Sequence, residues 1–413
     1  MNIKPTFDFQ FKELASVRIQ GAPRGILGLL LFDETVTTFK EKEYYSSMEV
    51  KEADWNQKNY KILKFLAFTG NPFKVKVYKA TAETINEVLE QVKKDEPNYF
   101  ACPVIPTESE AVAKVKKVKE IKVSETEENL EEEKSKQIKV RVSTLKGDLV
   151  SWINAIRNTE TIKLGNDTST IKLVISADTA PDKPWILDYS LLQTHHEING
   201  LEDVYFNAQE YTACIASMAA GVALNSSLTS AAQPWLKSMK STITDESAEI
   251  KKGKLVTSFD GNKYIILRGV TSFTTPTDSM NRSFSKIRKM EIMDIHQKDI
   301  RNTFKEYYRG KYQNIYANKL LFMGAVNAYL SDYIKAGQLN PANENKMKID
   351  IDAHKKFLIE KGVYKGKQIT EEEVNKMSEY ELLRIDTDDI VFAYVPDYKP
   401  TDVMEDFKGE AYL

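Results

Sequence analysis

The sequence predicts a mixed α/β protein of more than one domain. Three observations support this prediction: the length of the chain, its average composition, and the alternation of short apolar runs with segments of helical period. At roughly 150 residues per domain, 413 residues suggest two or three domains. With 42% hydrophobic and 29% charged residues, the composition is that of a folded protein.

The α/β pattern begins with Ile26 to Phe32, an almost continuous apolar run that is typical of a strand buried on both faces. Helical periods and strand-like runs then alternate along the chain. The predicted helices cover 55–68, 81–94 and 148–158, and the predicted strands cover 73–78, 99–105 and 170–176. This alternation favours a sheet layer that is covered by helices.

The segment 108–146 differs from its surroundings because about half of its residues are charged. Valine and isoleucine recur at short intervals, so both a pair of charged strands and a helical insertion are compatible with it. We expect a solvated surface excursion in either case.

The second half of the chain is predicted to be richer in helices. The segment 211–224 contains many alanines and glycines, which would let a helix approach its neighbour closely. A strand is predicted over 263–267, and two helices are predicted over 292–309 and 314–336. Gly337 follows the second of these helices at a typical C-terminal cap position.

Both ends of the chain resemble strands without an obvious local partner. Phe7, Phe9 and Phe11 alternate with polar residues, which indicates a strand with one apolar face. The segment 389–395 is an apolar strand candidate, followed by an acidic tail to residue 413. Because an unpaired strand edge readily accepts another strand, both ends could bind a second chain.

Several classes of protein are disfavoured by the sequence. No apolar run approaches the ~18 residues that span a bilayer, and the N-terminus lacks the apolar stretch of a signal peptide. Two cysteines are too few for a disulfide framework, so we expect a reducing cytoplasm. No nucleotide-binding, nucleophile or metal-ligand motif occurs, and His195–His196, His296 and His354 do not resemble ligands. We therefore expect no enzyme, cofactor or metal.

Charge is segregated, although the net charge is only −2. Residues 281–320 hold ten basic residues and four acids, whereas 377–413 hold three and ten. On a helix, four cations would share one face, namely Lys298, Arg301, Lys305 and Arg309. This face suits either an ordinary amphipathic helix, in which Asp294 pairs with Lys298, or docking onto an acidic partner.

Several segments together resemble the tail sheath proteins of contractile phage tails and of R-type bacteriocins. Their order and spacing carry the resemblance, which covers most of the chain outside 108–146. The segments are 22–26 (APRGI), 74–78 (KVKVY), 219–223 (AAGVA) with 227–229 (SLT), 267–275 (LRGVTSFTT), 286–288 (KIR), 293–295 (MDI), 299–300 (DI), 311–314 (KYQN) and 325–330 (AVNAYL).

This resemblance implies a multi-domain sheath-like fold with extended arms. The implied parts are an N-terminal linking arm (1–20), an outer α/β region (21–260), a tube-facing domain (261–388) and a C-terminal strand and arm (389–413). The arms would join adjacent copies through Phe7, Phe9, Phe11, Val391, Phe392, Ala393, Tyr394, Val403 and Phe407. The cationic face would then contact an acidic inner tube.

The function so implied is that of a structural subunit, which stacks as rings around an inner tube and contracts to drive that tube through a cell envelope. The expected partners are further copies of the chain, the tube protein, and baseplate and terminator proteins, with no direct nucleic acid. The subunit would assemble in the bacterial cytoplasm and end in a virion tail or a released tail-like particle. The alternative is a non-catalytic α/β protein whose cationic helix binds nucleic acid or another polyanion.

Overall fold

The computed structural model describes residues 18–106, 144–157 and 168–411. The predicted arm residues Phe7, Phe9 and Phe11 and the segment 108–143 lie outside these ranges. The chain forms two compact units. The larger contains the described residues of Ala22–Ile295 and Asp402–Leu413, and the smaller contains those of Met1–Gly21 and His296–Thr401. The predicted α/β class is confirmed.

A seven-stranded sheet forms the centre of the larger unit. Its strands, in their order across the sheet, are β10 (Lys254–Leu255), β6 (Ile186–Tyr189), β5 (Lys172–Ile175), β4 (Tyr99–Ala101), β1 (Ile26–Phe32), β3 (Lys74–Ala80) and β2 (Glu41–Tyr44). Neighbouring strands are parallel except at the edge, where β2 runs antiparallel to β3. Parallel strands are normally buried on both faces, as the apolar run of β1 predicts.

Helices cover both faces of this sheet. They are α1 (Gln57–Phe65), α2 (Ile85–Asp95), α3 (Leu145–Arg157), α4 (Ala208–Gly221) and the short α5 (Glu246–Lys251). In β1, Leu27, Leu29 and Leu31 belong to the core that α1 and α4 complete, whereas Leu30 belongs to the core of α2 and α3. Successive residues of a strand point to opposite faces, so each face buries its own set of leucines.

The alanine- and glycine-rich helix α4 approaches its neighbour closely, as predicted. A Cβ atom on Gly221 would lie 1.7 Å from the carbonyl oxygen of Gly70, and one on Gly70 would lie 2.2 Å from that of Ser217. The Gly70 amide donates to Ser217 Oγ at 2.9 Å. Only glycine fits at these two positions, so the sequence composition here reflects packing.

The larger unit also contains smaller antiparallel pieces. These are a three-stranded sheet of β7 (Gln193–Ile198), β8 (Tyr205–Phe206) and β9 (Leu236–Ser241), and a hairpin of β11 (Thr257–Phe259) and β12 (Tyr264–Ile266). In β7, His196 is fully buried and His195 is exposed. The adjacent histidines thus lie in opposite environments, and His195 has a left-handed backbone (φ of 52°) at an irregularity in the pairing of β7 with β9.

The smaller unit is mainly helical. Its elements are the second part of α6 (Ile287–Thr303), then α7 (Tyr316–Lys335), α8 (Ile351–Lys361), α9 (Glu371–Asn375), α10 (Glu379–Leu382) and two strand pairs, β13 (Lys348–Ile349) with β16 (Ala393–Tyr394) and β14 (Val363–Tyr364) with β15 (Lys367–Gln368). Leu358, Val374, Leu382 and Ile385 form a small core. Gly337 follows α7 with φ of 73°, the left-handed conformation expected of a C-terminal cap.

Two predictions for this region were wrong in detail. The α-helix expected over 292–309 begins earlier and ends at Thr303, and a π-helical turn follows from Phe304 to Tyr308. Of the strand expected over 389–395, only Ala393–Tyr394 are in a strand. The preceding loop is fixed instead by the Asn314 side chain, which donates to Thr387 Oγ1 and to the carbonyl oxygens of Asp388 and Ile390.

Candidate assembly surfaces

The four cations of α6 and the turn after it do not form one open stripe. Arg301 is buried, with 6% of its surface exposed, and Lys298 and Lys305 are half-buried. Arg309 is exposed. Because the π-helical turn changes the angle per residue, Lys305 and Arg309 are displaced from the face that a continuous α-helix would give them. The accessible positive charge is therefore concentrated after Thr303, where Lys311 is also exposed.

The N-terminal residues that precede the larger unit are anchored in the smaller one. Ile19 is buried at 9% exposure. The Gln20 amide donates to Thr303 Oγ1 at 3.3 Å, at the end of α6. Gln20 therefore lies beside the last turn of α6.

Of the C-terminal arm residues, Val391, Phe392, Ala393 and Tyr394 lie in the smaller unit. Ala393 and Tyr394 pair antiparallel with Ile349 and Lys348. Val391 and Phe392 are half-buried, and the Phe392 ring lies 5.8 Å from that of Phe357. Tyr394 is 45% exposed. In the isolated chain, this segment thus forms half of a two-stranded sheet.

The chain after β16 is tied to the same unit by polar contacts. His296 Nδ1 and the Tyr398 hydroxyl are 2.6 Å apart, and the Asn340 amide donates to the carbonyl oxygen of Lys399 at 2.9 Å. Burial lowers the pKa of His296 to about 3, so the ring is neutral. His296 is fully buried and is therefore a core residue.

The acidic tail belongs to the larger unit and contains the remaining two arm residues. Val403 is half-buried and Phe407 is 94% exposed. Glu405 between them is anchored, since its side chain is 6% exposed and accepts hydrogen bonds from Thr229, Lys286 and Arg268. Burial would raise the pKa of the Glu405 carboxyl, but these hydrogen bonds outweigh burial and hold the pKa below its ordinary value.

Sequence reasoning missed a buried charge cluster in the larger unit. Asp294 receives two bonds from Arg157, at 2.8 and 3.3 Å, and one from Lys172 at 2.8 Å. Lys172 also contacts Glu291 at 2.9 Å, and the Tyr99 hydroxyl donates to the same carboxylate at 2.8 Å. Asp294 therefore pairs with α3 and β5, where the sequence suggested Lys298 on its own helix.

The cluster perturbs the ionisation of its members. Burial would raise the pKa of Asp294, but the charges of Arg157 and Lys172 outweigh burial and hold the pKa below its ordinary value. The one signal in the sequence was that Asp294 lies on a helix face that also carries apolar residues. This position indicates that Asp294 is buried beside a cation, but it does not indicate which cation.

Within 18–106, 144–157 and 168–411, no three His, Cys, Asp or Glu side chains are grouped as metal ligands. Cys102 and Cys214 are buried free thiols, and burial raises the pKa of Cys214 to about 11. Among the helices of these same ranges, none has the length and apolar character needed to cross a bilayer.

Comparisons with known proteins agree on one class. No family model matches the chain. The tail sheath protein of Clostridium phage phiCD119 is 28% identical over 406 residues, which cover 97% of this chain and 96% of that protein.

Solved structures show the same fold. The sheath tail protein of Desulfitobacterium hafniense superposes with a TM-score of 0.57 and 11% identity, covering 85% of this chain and 94% of that one. The helical sheath of the anti-feeding prophage in its contracted state superposes with a TM-score of 0.58 and 11% identity, covering 99% and 100%. The fold is that of a contractile tail sheath protein. This chain is similar to a phage tail sheath protein over nearly its whole length, and the resemblance found in its sequence is confirmed.

Proposed function

We propose that this chain is the structural, non-catalytic subunit of a contractile tail sheath. It polymerises as stacked rings around an inner tube and contracts to drive that tube through a target envelope. The observation that carries this proposal is the 28% identity to a phage tail sheath protein over 97% of the chain. A likeness over the full length supports a shared role for the whole subunit.

The two terminal arms join adjacent copies by strand addition. In the smaller unit, β13 and β16 form a sheet of two strands, which is marginal by itself. Among the described residues, neither strand pairs with a third strand along its other edge. A segment with alternating apolar residues, such as Phe7, Phe9 and Phe11, has the pattern to occupy such an edge. Ala393 and Tyr394 form β16, Val391 and Phe392 lead into it, and Val403 and Phe407 extend the contact.

The cations Lys298, Arg301, Lys305 and Arg309 face an acidic inner tube. The exposed Arg309 and half-buried Lys305 make the contact, and the buried Arg301 supports the helix beneath them. Moderate ion pairs of this kind give register and reversible attachment rather than high affinity. Baseplate and terminator proteins bind the two ends of the polymer.

Contraction is a switch between two packings of rigid subunits, with the arms as hinges. The domains given by the sequence, 1–20, 21–260, 261–388 and 389–413, are the functional parts of this arrangement. The subunit assembles in the host cytoplasm and is then part of a virion tail or of a released tail-like particle.

Negative-stain microscopy and sedimentation of the purified full-length chain test this proposal. We expect long hollow polymers, and deletion of residues 1–18 should leave a folded monomer that does not polymerise. The double substitution K305E/R309E should impair assembly on the tube while leaving monomer stability unchanged. A protein that stays monomeric but shifts with oligonucleotide in a salt-sensitive way would support the polyanion-binding alternative instead.

A further inference from the structure

The tail after Thr401 is held on the larger unit by side-chain ion pairs. Three of its carboxylates meet three cations: Asp402 lies 3.5 Å from Lys289, Glu405 lies 2.9 Å from Arg268 and also contacts Lys286, and Asp406 contacts Arg268. Of the described tail residues 402–411, none is in a strand or helix. The attachment is therefore mainly electrostatic.

Glu405 is the centre of this attachment. One carboxylate oxygen accepts from Thr229 Oγ1 at 2.6 Å and from Ser227 Oγ at 3.2 Å, and the other accepts from Arg268 and Lys286. We call the four residues that hold it, Ser227, Thr229, Arg268 and Lys286, the Glu405 clasp. Its two hydroxyls and two cations satisfy both oxygens of one carboxylate.

The apolar side chains of the same segment have the opposite surroundings. Met404 is fully exposed and Phe407 is 94% exposed. Two large apolar side chains that flank the buried Glu405 carboxylate are thus exposed to water. In this position the tail satisfies its charges but not its hydrophobic side chains, so a surface that covers Met404 and Phe407 would compete for it.

We propose that the Glu405 clasp is an autoinhibitory contact, which holds the C-terminal tail on its own subunit until assembly. On release, Met404 and Phe407 are buried against a second copy of this chain. The inference rests on the proposed function, in which the C-terminal arm joins adjacent copies, and it adds the step that keeps the arm from engaging too early.

The second copy is the occupant that the charges of the segment favour. A second copy presents the same three cations, Arg268, Lys286 and Lys289, to the acidic tail of its neighbour. The acidic tail can therefore form the same ion pairs on its neighbour as on its own subunit. Covering Met404 and Phe407 requires a further surface of the second copy, because the tail's contacts with its own subunit leave both side chains exposed. Ion pairs are suited to such an exchange because they can break and form again without any change in backbone hydrogen bonding. Salt weakens them.

Trypsin cleavage after Lys408 of the full-length chain measures whether the clasp is closed. A protease needs several extended residues around the cleaved bond, and Glu405 fixes the chain three residues before it. Lys399 precedes Pro400 and does not compete as a site. We expect two substitutions to speed cleavage at least fivefold: E405Q on the tail and K286M on the body of the larger unit. E83Q removes one exposed carboxylate elsewhere in the same unit and is the matched control, which should cleave at the wild-type rate. Equal rates in all four proteins would overturn the clasp.

Light scattering of the same proteins measures assembly. E405Q and K286M should polymerise with a shorter lag than the wild-type chain, whereas M404A/F407A should keep the wild-type cleavage rate and lose at least tenfold in polymer yield. Faster cleavage with an unchanged lag, or normal polymers from M404A/F407A, would overturn the autoinhibitory role. If no protein polymerises, the sheath function fails and this role fails with it, while the cleavage rates still decide whether the clasp exists.

Discussion

Replacing Asp294 with asparagine should strongly destabilise the larger unit. The substitution keeps the size of the side chain but removes the charge that Arg157 and Lys172 share. All three side chains are buried, with 3%, 3% and 1% of their surface exposed. After the substitution, Lys172 keeps its contact with Glu291 at 2.9 Å, whereas Arg157 loses the charge that it pairs with at 2.8 Å.

The expected cost follows from this burial. Removing one partner of a buried ion pair typically costs about 3–5 kcal/mol, because the remaining charge stays desolvated without compensation. Asparagine can still accept a hydrogen bond, so we expect D294N near the lower end, at about 3 kcal/mol of unfolding free energy. A surface ion pair would contribute ~1 kcal/mol or less.

Urea unfolding followed by tryptophan fluorescence can measure this change selectively. All four tryptophans, Trp55, Trp152, Trp185 and Trp235, lie in the larger unit. D278N, which removes an exposed carboxylate of that unit, is the matched control and should change the unfolding free energy little. A loss below ~1 kcal/mol for D294N would refute the view that this cluster is desolvated and holds α6 in place.

The pH dependence provides a second check on Asp294. Its pKa is lower in the folded than in the unfolded protein, so its contribution to stability is present above the unfolded pKa and is lost as pH falls through the folded value. The difference between wild type and D294N should therefore be constant near neutrality and shrink only below about pH 4. A difference that shrinks between pH 8 and pH 6 would contradict this assignment.

Three further predictions concern packing, ionisation and the C-terminal loop. G221A should cost about 3 kcal/mol in urea unfolding because its Cβ would lie 1.7 Å from the Gly70 oxygen, whereas G147A, which meets nothing within 4 Å, should cost nothing; equal stabilities would contradict the close approach. Burial lowers the pKa of His196 to about 4, so that between pH 6.5 and that value the unfolded chain binds a proton that the folded chain does not. Wild-type stability should accordingly fall as pH decreases over that range, by up to about 1.4 kcal/mol per unit, and H196Q should lose this part of the slope; identical slopes would contradict a buried neutral ring. N314A removes three hydrogen bonds to residues 387–390, so amide hydrogen exchange in 387–394, measured by mass spectrometry, should speed up at least tenfold. N318A removes one hydrogen bond to Gln313 and should leave exchange in that peptide unchanged.

Local periodicity was sufficient for the elements whose side chains repeat regularly. The apolar run of β1 gave its bounds, Ile26–Phe32, and the helices α2, α3 and α7 were placed to within a few residues. The close approach of α4 was also evident, because alanine and glycine in a helix reflect how near a neighbour lies. In each case the spacing of side chains along the chain follows directly from the backbone geometry.

Periodicity failed where contacts distant in sequence decide the local conformation. The helix after Thr303 continues as a π-helical turn, although its cations keep an α-helical spacing. The segment 389–392 is apolar enough for a strand, yet the side chain of Asn314 holds the loop before it, and Phe392 packs beside Phe357. Backbone groups pair with whichever partner the fold brings close, so strand propensity alone did not determine this segment.

The order of apolar and polar residues determined by itself the α/β class and most of the larger unit, while the likeness to tail sheath proteins rested on the order and spacing of particular sequence segments. Which charges are buried, and with which partners, was decided only by the tertiary structure. Asp294 and Arg157 are 137 residues apart in the chain, as are Arg268 and Glu405. Coulombic attraction and desolvation depend on distance and exposure in space, and neither quantity is encoded in the separation of two residues along the chain.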